Sequence, residues 1–309
     1  MGVRRVTVFG GSGFIGRYVV ERLANRGDLV VVAVRDPEGA KNLRVFGNVG
    51  QVTPVACNIV DPQSVAAIVA GSDCVVNLCG ILSERGPQTF QSVHVDGAMT
   101  VARAAAAAGV KRLVQVSAIG ASESSRSKYA RSKAAGERAV RDAFPAATVL
   151  RPSVVFGPED GFFNLFAGLA RIAPALPLYG GGRTRFQPVY ACDVAEAVVA
   201  ALETDAAAGL TYELGGPEIC TFRELMQKML ATIRRRRLLV SLPYFAGDVL
   251  GTLIDIKWAV LTALFGGMVP NPPLTRDMMR QLRADNVVGA GGKTLAVLGI
   301  APTAMAPVL

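Results

Sequence analysis

Gly10, Gly13 and Gly16 follow the apolar run Val6-Thr7-Val8-Phe9 in Gly-x-x-Gly-x-x-Gly spacing. Glycines so placed let a chain leave a strand, turn tightly and start a helix whose bare backbone N–H groups can approach a pyrophosphate. The chemistry this points to is dinucleotide binding. Ile15, Val19 and Leu23 recur at helical spacing after the turn, Gly27 offers a stop, and Leu29 to Val34 reads as a second buried strand. Arg35 closes that strand, where an acidic residue would accept the ribose 2′-hydroxyls of NAD and an arginine would pair with the 2′-phosphate of NADP. NADP(H) is therefore favoured over NAD(H), with Asp36 taking the acidic part if the register lies one residue on. Arg17 either adds charge near the same phosphate or is a solvated helix residue.

Tyr129 and Lys133 form Tyr-x-x-x-Lys, which puts both on one face of a helix read over 128–144. An ammonium one turn from a phenol lowers the phenol's pKa. Such a tyrosine has the chemistry of a general acid or base beside a nicotinamide, and the lysine that of a ribose holder. The bland counterpart is a surface tyrosine packed over a lysine stem. Ser117 ends the preceding strand, where its hydroxyl either polarises a substrate carbonyl or caps a turn. His94, the single histidine, is either a base or a satisfied, partly buried side chain. Cys57, Cys74, Cys79, Cys192 and Cys220 form no CxxC pair and read as reduced, buried thiols, and no metal site is expected.

These residues need a scaffold, and the first half of the chain supplies one by alternating strand and helix. Beyond the first unit, strands are read at 51–57, 74–79, 112–117 and 148–151, and helices at 62–70, 88–108 and 128–144. Short apolar strands between helices imply an α/β fold with a parallel sheet covered on both faces. A helix at 193–203 and a strand at 211–214 return to that sheet, after a stretch punctuated by Pro and Gly over 157–182. With 309 residues, 51% of them hydrophobic, the chain can bury a large core. Its net charge of +9 implies attraction to something acidic, and with no helix-turn-helix, zinc-finger or aromatic RNA-binding signature, nucleic acid is the weakest such partner. The chain enters its first strand directly after Met1-Gly2-Val3-Arg4, so no signal or transit peptide is expected. The most apolar late stretch, Val249 to Met268, is interrupted by Asp255 and Lys257, which argues against a membrane span.

Taken together, the glycine turn, Asn77-Leu78-Cys79-Gly80, Val116-Ser117, Tyr129-x-x-x-Lys133, Arg151-Pro152-Ser153, Phe156-Gly157-Pro158, Gln187-Pro188-Val189-Tyr190 and Asp193-Val194-Ala195 resemble the extended short-chain dehydrogenase/reductase superfamily. The resemblance implies a Rossmann-like, doubly wound parallel sheet with the cofactor across the carboxyl ends of its strands. The implied cofactor contacts are Gly10, Ser12, Gly13, Phe14, Ile15, Gly16, Arg35, Asn58, Ile59, Leu78, Cys79, Gly80, Tyr129, Lys133, Pro152 and Val155, and the implied catalytic set is Tyr129, Lys133 and Ser117. Residues 1–155 with 186–216 would form the dinucleotide-binding domain, and 156–185 with 217–309 a smaller, mostly helical lobe. Two departures bear on catalysis. Members usually carry Asn-Val-x-Gly-Thr where this chain reads His94-Val95-Asp96-Gly97-Ala98, and a second Ser or Thr followed by Val-Tyr-Gly where it reads Ala118-Ile119-Gly120-Ala121.

A narrower resemblance accounts for the tail. Phe156 through Asn164, Pro272-Pro273-Leu274-Thr275-Arg276-Asp277 and Leu282-Arg283-Ala284-Asp285-Asn286-Val287-Val288 are similar to the nucleotide-binding, dehydrogenase-like accessory subunits of respiratory complex I. Such subunits hold NADP(H) in a structural capacity, and the absence of a presequence suggests a bacterial form, peripheral on the cytoplasmic face of the inner membrane. The alternative is an active NADPH-dependent reductase or epimerase acting on a nucleotide sugar or a small carbonyl compound. In the last third, Arg234-Arg235-Arg236-Arg237 closes a helix starting near Phe222, and cations there complement the helix dipole. Leu250, Leu253, Ile254, Trp258, Leu261, Leu264 and Phe265 then form a stripe on a further helix. That stripe either packs on the protein's own core or docks on an anionic membrane surface or a membrane-bound partner.

Overall fold

The computed structural model describes residues 3–265, 275–306 and 308. Seven parallel strands make the central sheet: β1 Arg5–Phe9, β2 Leu29–Val34, β3 Val52–Ala56, β4 Cys74–Asn77, β5 Arg112–Val116, β6 Thr148–Pro152 and, last in chain order, β11 Thr211–Leu214. Their spatial order is β11-β6-β5-β4-β1-β2-β3, so the winding reverses between β1 and β4. The strands are buried on both faces, which explains runs such as Leu-Val-Val-Val-Ala-Val in β2 in place of an alternating pattern.

Helices α1 Phe14–Asn25 and α6 Ala191–Glu203 cover one face, with Val19, Val20, Leu23, Val194 and Val198 in its core. Helices α2 Pro62–Val69, α3 Ala98–Ala107 and α4 Lys128–Ala143 cover the other through Val65, Ile68, Val101 and Val140. The doubly wound α/β expectation is therefore met. A third cluster is built mainly from later elements: β7 Val155–Phe156, α5 Gly161–Ile172, β8 Ala175–Tyr179, β9 Arg185–Phe186, β10 Val189–Tyr190, β12 Cys220–Thr221 and α7 Phe222–Thr232. Its centre is aromatic, with Phe162 and Phe222 each in ring contact with Phe166, Phe186 and one another.

Three local expectations change. The helix read over 88–108 opens as a wide π turn at Gln91–Gly97 and becomes α-helical only from Ala98. That turn brings the His94 carbonyl against α4, where a Cβ on Gly136 would lie 2.0 Å from it, so only glycine fits. The arginine run does not close α7, which stops at Thr232. Arg234 takes a left-handed backbone (φ 52°), and Arg237 leads into a strand no periodicity announced, β13 Leu238–Leu242, paired in parallel with β8. Helix α8 Tyr244–Phe265 follows, then α9 Arg276–Gln281. Of the proposed stripe, Leu250 and Leu253 are exposed while Ile254 and Trp258 are half-buried; Pro272, Pro273, Leu274 and the side chains of Leu264 and Phe265 lie outside the described residues. The outward face of α8 instead carries Phe245, Val249, Leu253 and Ile256, each 57–69% exposed. Its inner face closes on α9 through Gly247 and Gly251, where a Cβ would meet Met279, Tyr179 and Arg276 within 3 Å.

A buried ion cluster ties α4 to the sheet. Glu137, 3% exposed, takes a two-pronged bond from Arg151 of β6 (2.9 and 2.7 Å), and Glu213 of β11 lies 3.7 Å from the same guanidinium. Arg151→Ala strands the Glu137 carboxylate in the interior and should cost about 3 kcal/mol, read as a lower urea midpoint at unchanged slope.

Candidate functional site

The glycine turn lies at the reversal of winding, between β1 and β4. Gly10 has φ +76°, and a Cβ there would sit 3.2 Å from the backbone of Leu78 and Cys79 at the end of β4. A Cβ on Gly16 would fall 2.3 Å from the Gly10 carbonyl oxygen and 2.6 Å from Gly11 Cα, so α1 rests directly on the turn's backbone. Gly13 starts α1 without any side-chain cap, which leaves the first N–H groups of a twelve-residue helix facing the mouth of the sheet. Ser12 is exposed there, and Phe14 and Ile15 are half-buried. The geometry is that of a cradle for a diphosphate, made of backbone that any side chain would fill.

Arg35 is exposed at the end of β2 and makes no ion pair among the described residues, whereas Asp36 accepts from the Gly39 N–H at 3.1 Å in a local turn. Arg17 makes an exposed ion pair with Glu159 at 3.3 Å, and Tyr18 donates to the same carboxylate at 2.7 Å. Asn58 is exposed just past β3, its side chain accepting from the Val60 N–H, and Ile59 packs on Gly97. Leu78 and Cys79 lie half-buried after β4, where Asn77 fixes the loop by accepting from the Cys79 N–H at 3.0 Å. Pro152 ends β6, and Val155 begins β7 beside β10.

The other half of the site gathers on α4. Lys133 is buried beneath Gly80, where a Cβ would stand 3.1 Å from its Nζ and 3.6 Å from His94 Nε2. Burial holds Lys133 down at about 8, against an upward pull from Cys79 and Glu137. Its Nζ lies 5.9 Å from the centre of the Tyr129 ring, and burial pushes the Tyr129 hydroxyl up to about 12. The lysine thus sits beside the ring without lowering the phenol. Phe90 meets Tyr129 edge-on at 5.9 Å and stacks on His94 at 5.4 Å, walling this corner with aromatic rings.

His94 is pinned. Its Nε2 accepts from the Ile81 N–H at 3.0 Å, so Nδ1 carries the proton and donates to Ser132 Oγ at 2.8 Å, which in turn donates to the Tyr129 carbonyl. Burial, and then the Lys133 ammonium, push His94 down to about 3. An imidazole bonded at both nitrogens and neutral at physiological pH is a structural bracket between the loop after β4 and α4. Ser117 differs: it is 5% exposed and its Oγ has no hydrogen-bond partner among the described residues. Sheet and helix thus leave an unanswered polar atom at the carboxyl end of β5, as a site completed by a ligand would.

Residues 6–215 match the model of the NAD dependent epimerase/dehydratase family. The chain belongs to that family. Among solved family-type structures, dTDP-glucose 4,6-dehydratase DesIV of Streptomyces venezuelae, with NAD and TYD bound, superposes with a TM-score of 0.65 at 25% identity, covering 77% of this chain and 84% of that one. The narrower likeness is also borne out. The mitochondrial NADH dehydrogenase [ubiquinone] 1 alpha subcomplex subunit 9 of Arabidopsis thaliana is 42% identical over 241 residues, 77% of this chain and 60% of that protein. Its counterpart in Mus musculus is 36% identical over 299 residues, 96% of this chain and 76% of that protein. The glycine cradle and the Tyr129–Lys133 pair of this epimerase/dehydratase-family protein both lie within the matched span.

Sequence reasoning gave no role to several residues the structure brings into the site. Phe90 and Ser132 carry no spacing signal. Asp277 and Asn286 were legible only as parts of tail motifs. Asp277 accepts from Ser127 Oγ (2.7 Å) and from the N–H groups of Lys128 (2.8 Å) and Tyr129 (3.0 Å). Asn286 accepts from Ser153 Oγ (2.6 Å) and the Val154 N–H (3.0 Å) between β6 and β7. The tail therefore clasps both the tyrosine helix and the strand ends beside it.

The state of His94 sets a pH dependence. Folded, the imidazole stays neutral down to about 3; unfolded, it binds a proton below its ordinary 6.5. The unfolded chain then holds more protons, so this contribution to stability is full above about 6.5 and is lost as pH falls toward 3. The ring signals of this single histidine should not titrate across roughly pH 5–8 by NMR, and His94→Asn should lose less stability than the wild type over the acid range.

Proposed function

We propose that this chain is an NADP(H)-binding accessory or assembly subunit of respiratory complex I that keeps its dinucleotide as a fixed structural ligand. The observation that carries this reading is the reach of the similarity: it extends over 96% of the chain, past the family match at residues 6–215 and into the tail. That tail is hydrogen-bonded to the helix bearing Tyr129 and Lys133. The cradle at Gly10, Gly13 and Gly16 would take the pyrophosphate, and Ser117, Tyr129 and Lys133 would meet the nicotinamide end. When bound, the nicotinamide supplies a hydride carrier. This reading is supported by His94, held in one tautomer by bonds at both nitrogens, and by the burial of Tyr129, which pushes its hydroxyl up to about 12.

NADP(H) is favoured because Arg35 stands exposed at the end of β2 with no ion pair among the described residues, while Asp36 accepts from the Gly39 N–H in its own turn. Arg35→Ala should weaken NADPH binding about 10- to 100-fold by calorimetry and leave NADH nearly unchanged, the loss expected of a charge-assisted bond to phosphate.

The protein would sit peripherally, on the cytoplasmic face of a bacterial inner membrane. No helix among the described residues is long and apolar enough to cross a membrane, yet α8 turns Phe245, Val249, Leu253 and Ile256 outward and is preceded by exposed Arg234, Arg235 and Arg236. Affinity capture from native membranes should recover respiratory-chain subunits, and Phe245→Glu with Leu253→Glu should reduce that recovery. Tyr129→Phe should leave assembly of the complex unaltered. Loss of a measurable NADPH-dependent turnover in Tyr129→Phe, with no respiratory subunit captured, would instead select a reductase or epimerase.

A further inference from the structure

Helix α4 begins with three N–H groups that its own turns cannot satisfy. Ser127, the residue before it, answers one by accepting from the Ala130 N–H at 3.2 Å. The other two, on Lys128 and Tyr129, donate to one carboxylate, Asp277, which comes from α9 about 150 residues further along the chain. The same carboxylate accepts a hydrogen bond from the Ser127 hydroxyl and so orients the local cap as well. A full negative charge stands at the positive end of a sixteen-residue helix.

Asp277 is itself held. Thr275 caps α9 by accepting from the Met278 N–H at 3.1 Å, Asp255 of α8 accepts from the Arg276 N–H at 3.1 Å, and Met279 is fully buried against Gly247 of α8. The first turn of α4 is thus held from outside by a part of the tail that is itself hydrogen-bonded and packed on α8. Tyr129 is the second residue of that helix, and Lys133 lies one turn further, under Gly80.

We propose that Asp277 is a positioning residue: by clamping the first turn of α4 it sets the placement of Tyr129 and Lys133 toward the nicotinamide-ribose end of the bound dinucleotide. This rests on the dinucleotide reading above and adds to it that the cofactor site of this chain is completed by its tail. Adenine-side contacts at the glycine turn and Arg35 belong to other elements and do not depend on the clamp.

The test separates the two ends of the ligand. NADPH and adenosine 2′,5′-bisphosphate, which lacks the nicotinamide riboside, are titrated into the full chain and into its Asp277→Ala and Asp277→Asn variants. Asp277→Ala should bind NADPH about tenfold more weakly, the size of a lost helix cap expressed in binding, and lose the blue shift of nicotinamide fluorescence. Its affinity for adenosine 2′,5′-bisphosphate should match the wild type. Asp277→Asn, which keeps one accepting oxygen, should recover part of the loss. Lys133→Ala combined with Asp277→Ala should lose less than the sum of the two single losses, because the clamp acts in part through that lysine. An unchanged NADPH affinity in Asp277→Ala, an equal loss for both ligands, or additive losses in the double variant would each overturn the proposal. A wild-type chain that binds adenosine 2′,5′-bisphosphate but shows no nicotinamide signal would overturn it while sparing the cradle, and one that binds neither would remove the dinucleotide reading itself.

Discussion

The closeness of α1 to the turn before it sets where everything else in the nucleotide half can stand. Gly16 touches the Gly10 carbonyl and the Gly11 backbone, and Gly11 in turn leaves no room between Val32, Val20 and Val8 for a side chain of its own. Only with bare backbone at these positions can α1 lie flat on β1 and β2 and reach α6 on its far side. Val19, Val20 and Leu23 then become fully buried beside Val194 and Val198. One close approach therefore serves two ends: it seals the core on that face, and it aims an uncapped helix start at the point where the sheet's winding reverses.

On the opposite face α4 runs a line of ionisable groups inward: Tyr129, Lys133 and Glu137, each four residues apart and so on one side of the helix. Glu137 is neutralised by Arg151, and Lys133 in turn feels Glu137 and the Cys79 thiol. This keeps a buried lysine near 8, where an isolated one would fall further under burial. The arrangement explains why the site tolerates His94. A neutral imidazole, bonded at both nitrogens, adds no charge beside Lys133 and still bridges the loop after β4 to α4.

What could be read from residues alone followed from repeated physical signals. The strands of the main sheet, and the helices between them, announced themselves because fully buried parallel strands are uniformly apolar and their helices are not. The cradle was legible because three glycines at fixed spacing have few uses. The tail was not. β13 is mostly exposed along its length, so it lacks both the alternation of a half-buried strand and the run of a buried one. The apolar residues of α8 point both into the molecule and out of it, so no single stripe marks a face. The π turn at His94 depends on a glycine in a helix some forty residues away, and the clamp at Asp277 on a separation of about 150 residues, distances over which one sequence carries no pattern.

A ligand that binds only the folded chain raises its stability by RT ln(1 + [L]/Kd), about 2.7 kcal/mol at a hundredfold excess over Kd, which is a sizeable share of a domain's margin. On the proposed reading this is the use to which the site has been turned. The dinucleotide would join the ends of β1, β4 and β5 to α4, and the tail joins α4 and the ends of β6 to α9 and α8. The exposed face of α8 and the nucleotide cradle then belong to one connected set of contacts. A reductase would have to exchange its spent cofactor between turnovers, working against the proposed clamp of the tail, whereas an epimerase regenerates its cofactor in place. A structural role requires only that the contacts persist, and an orphaned Ser117 hydroxyl, a bracketed histidine and a helix capped from a distant part of the chain are consistent with persistence.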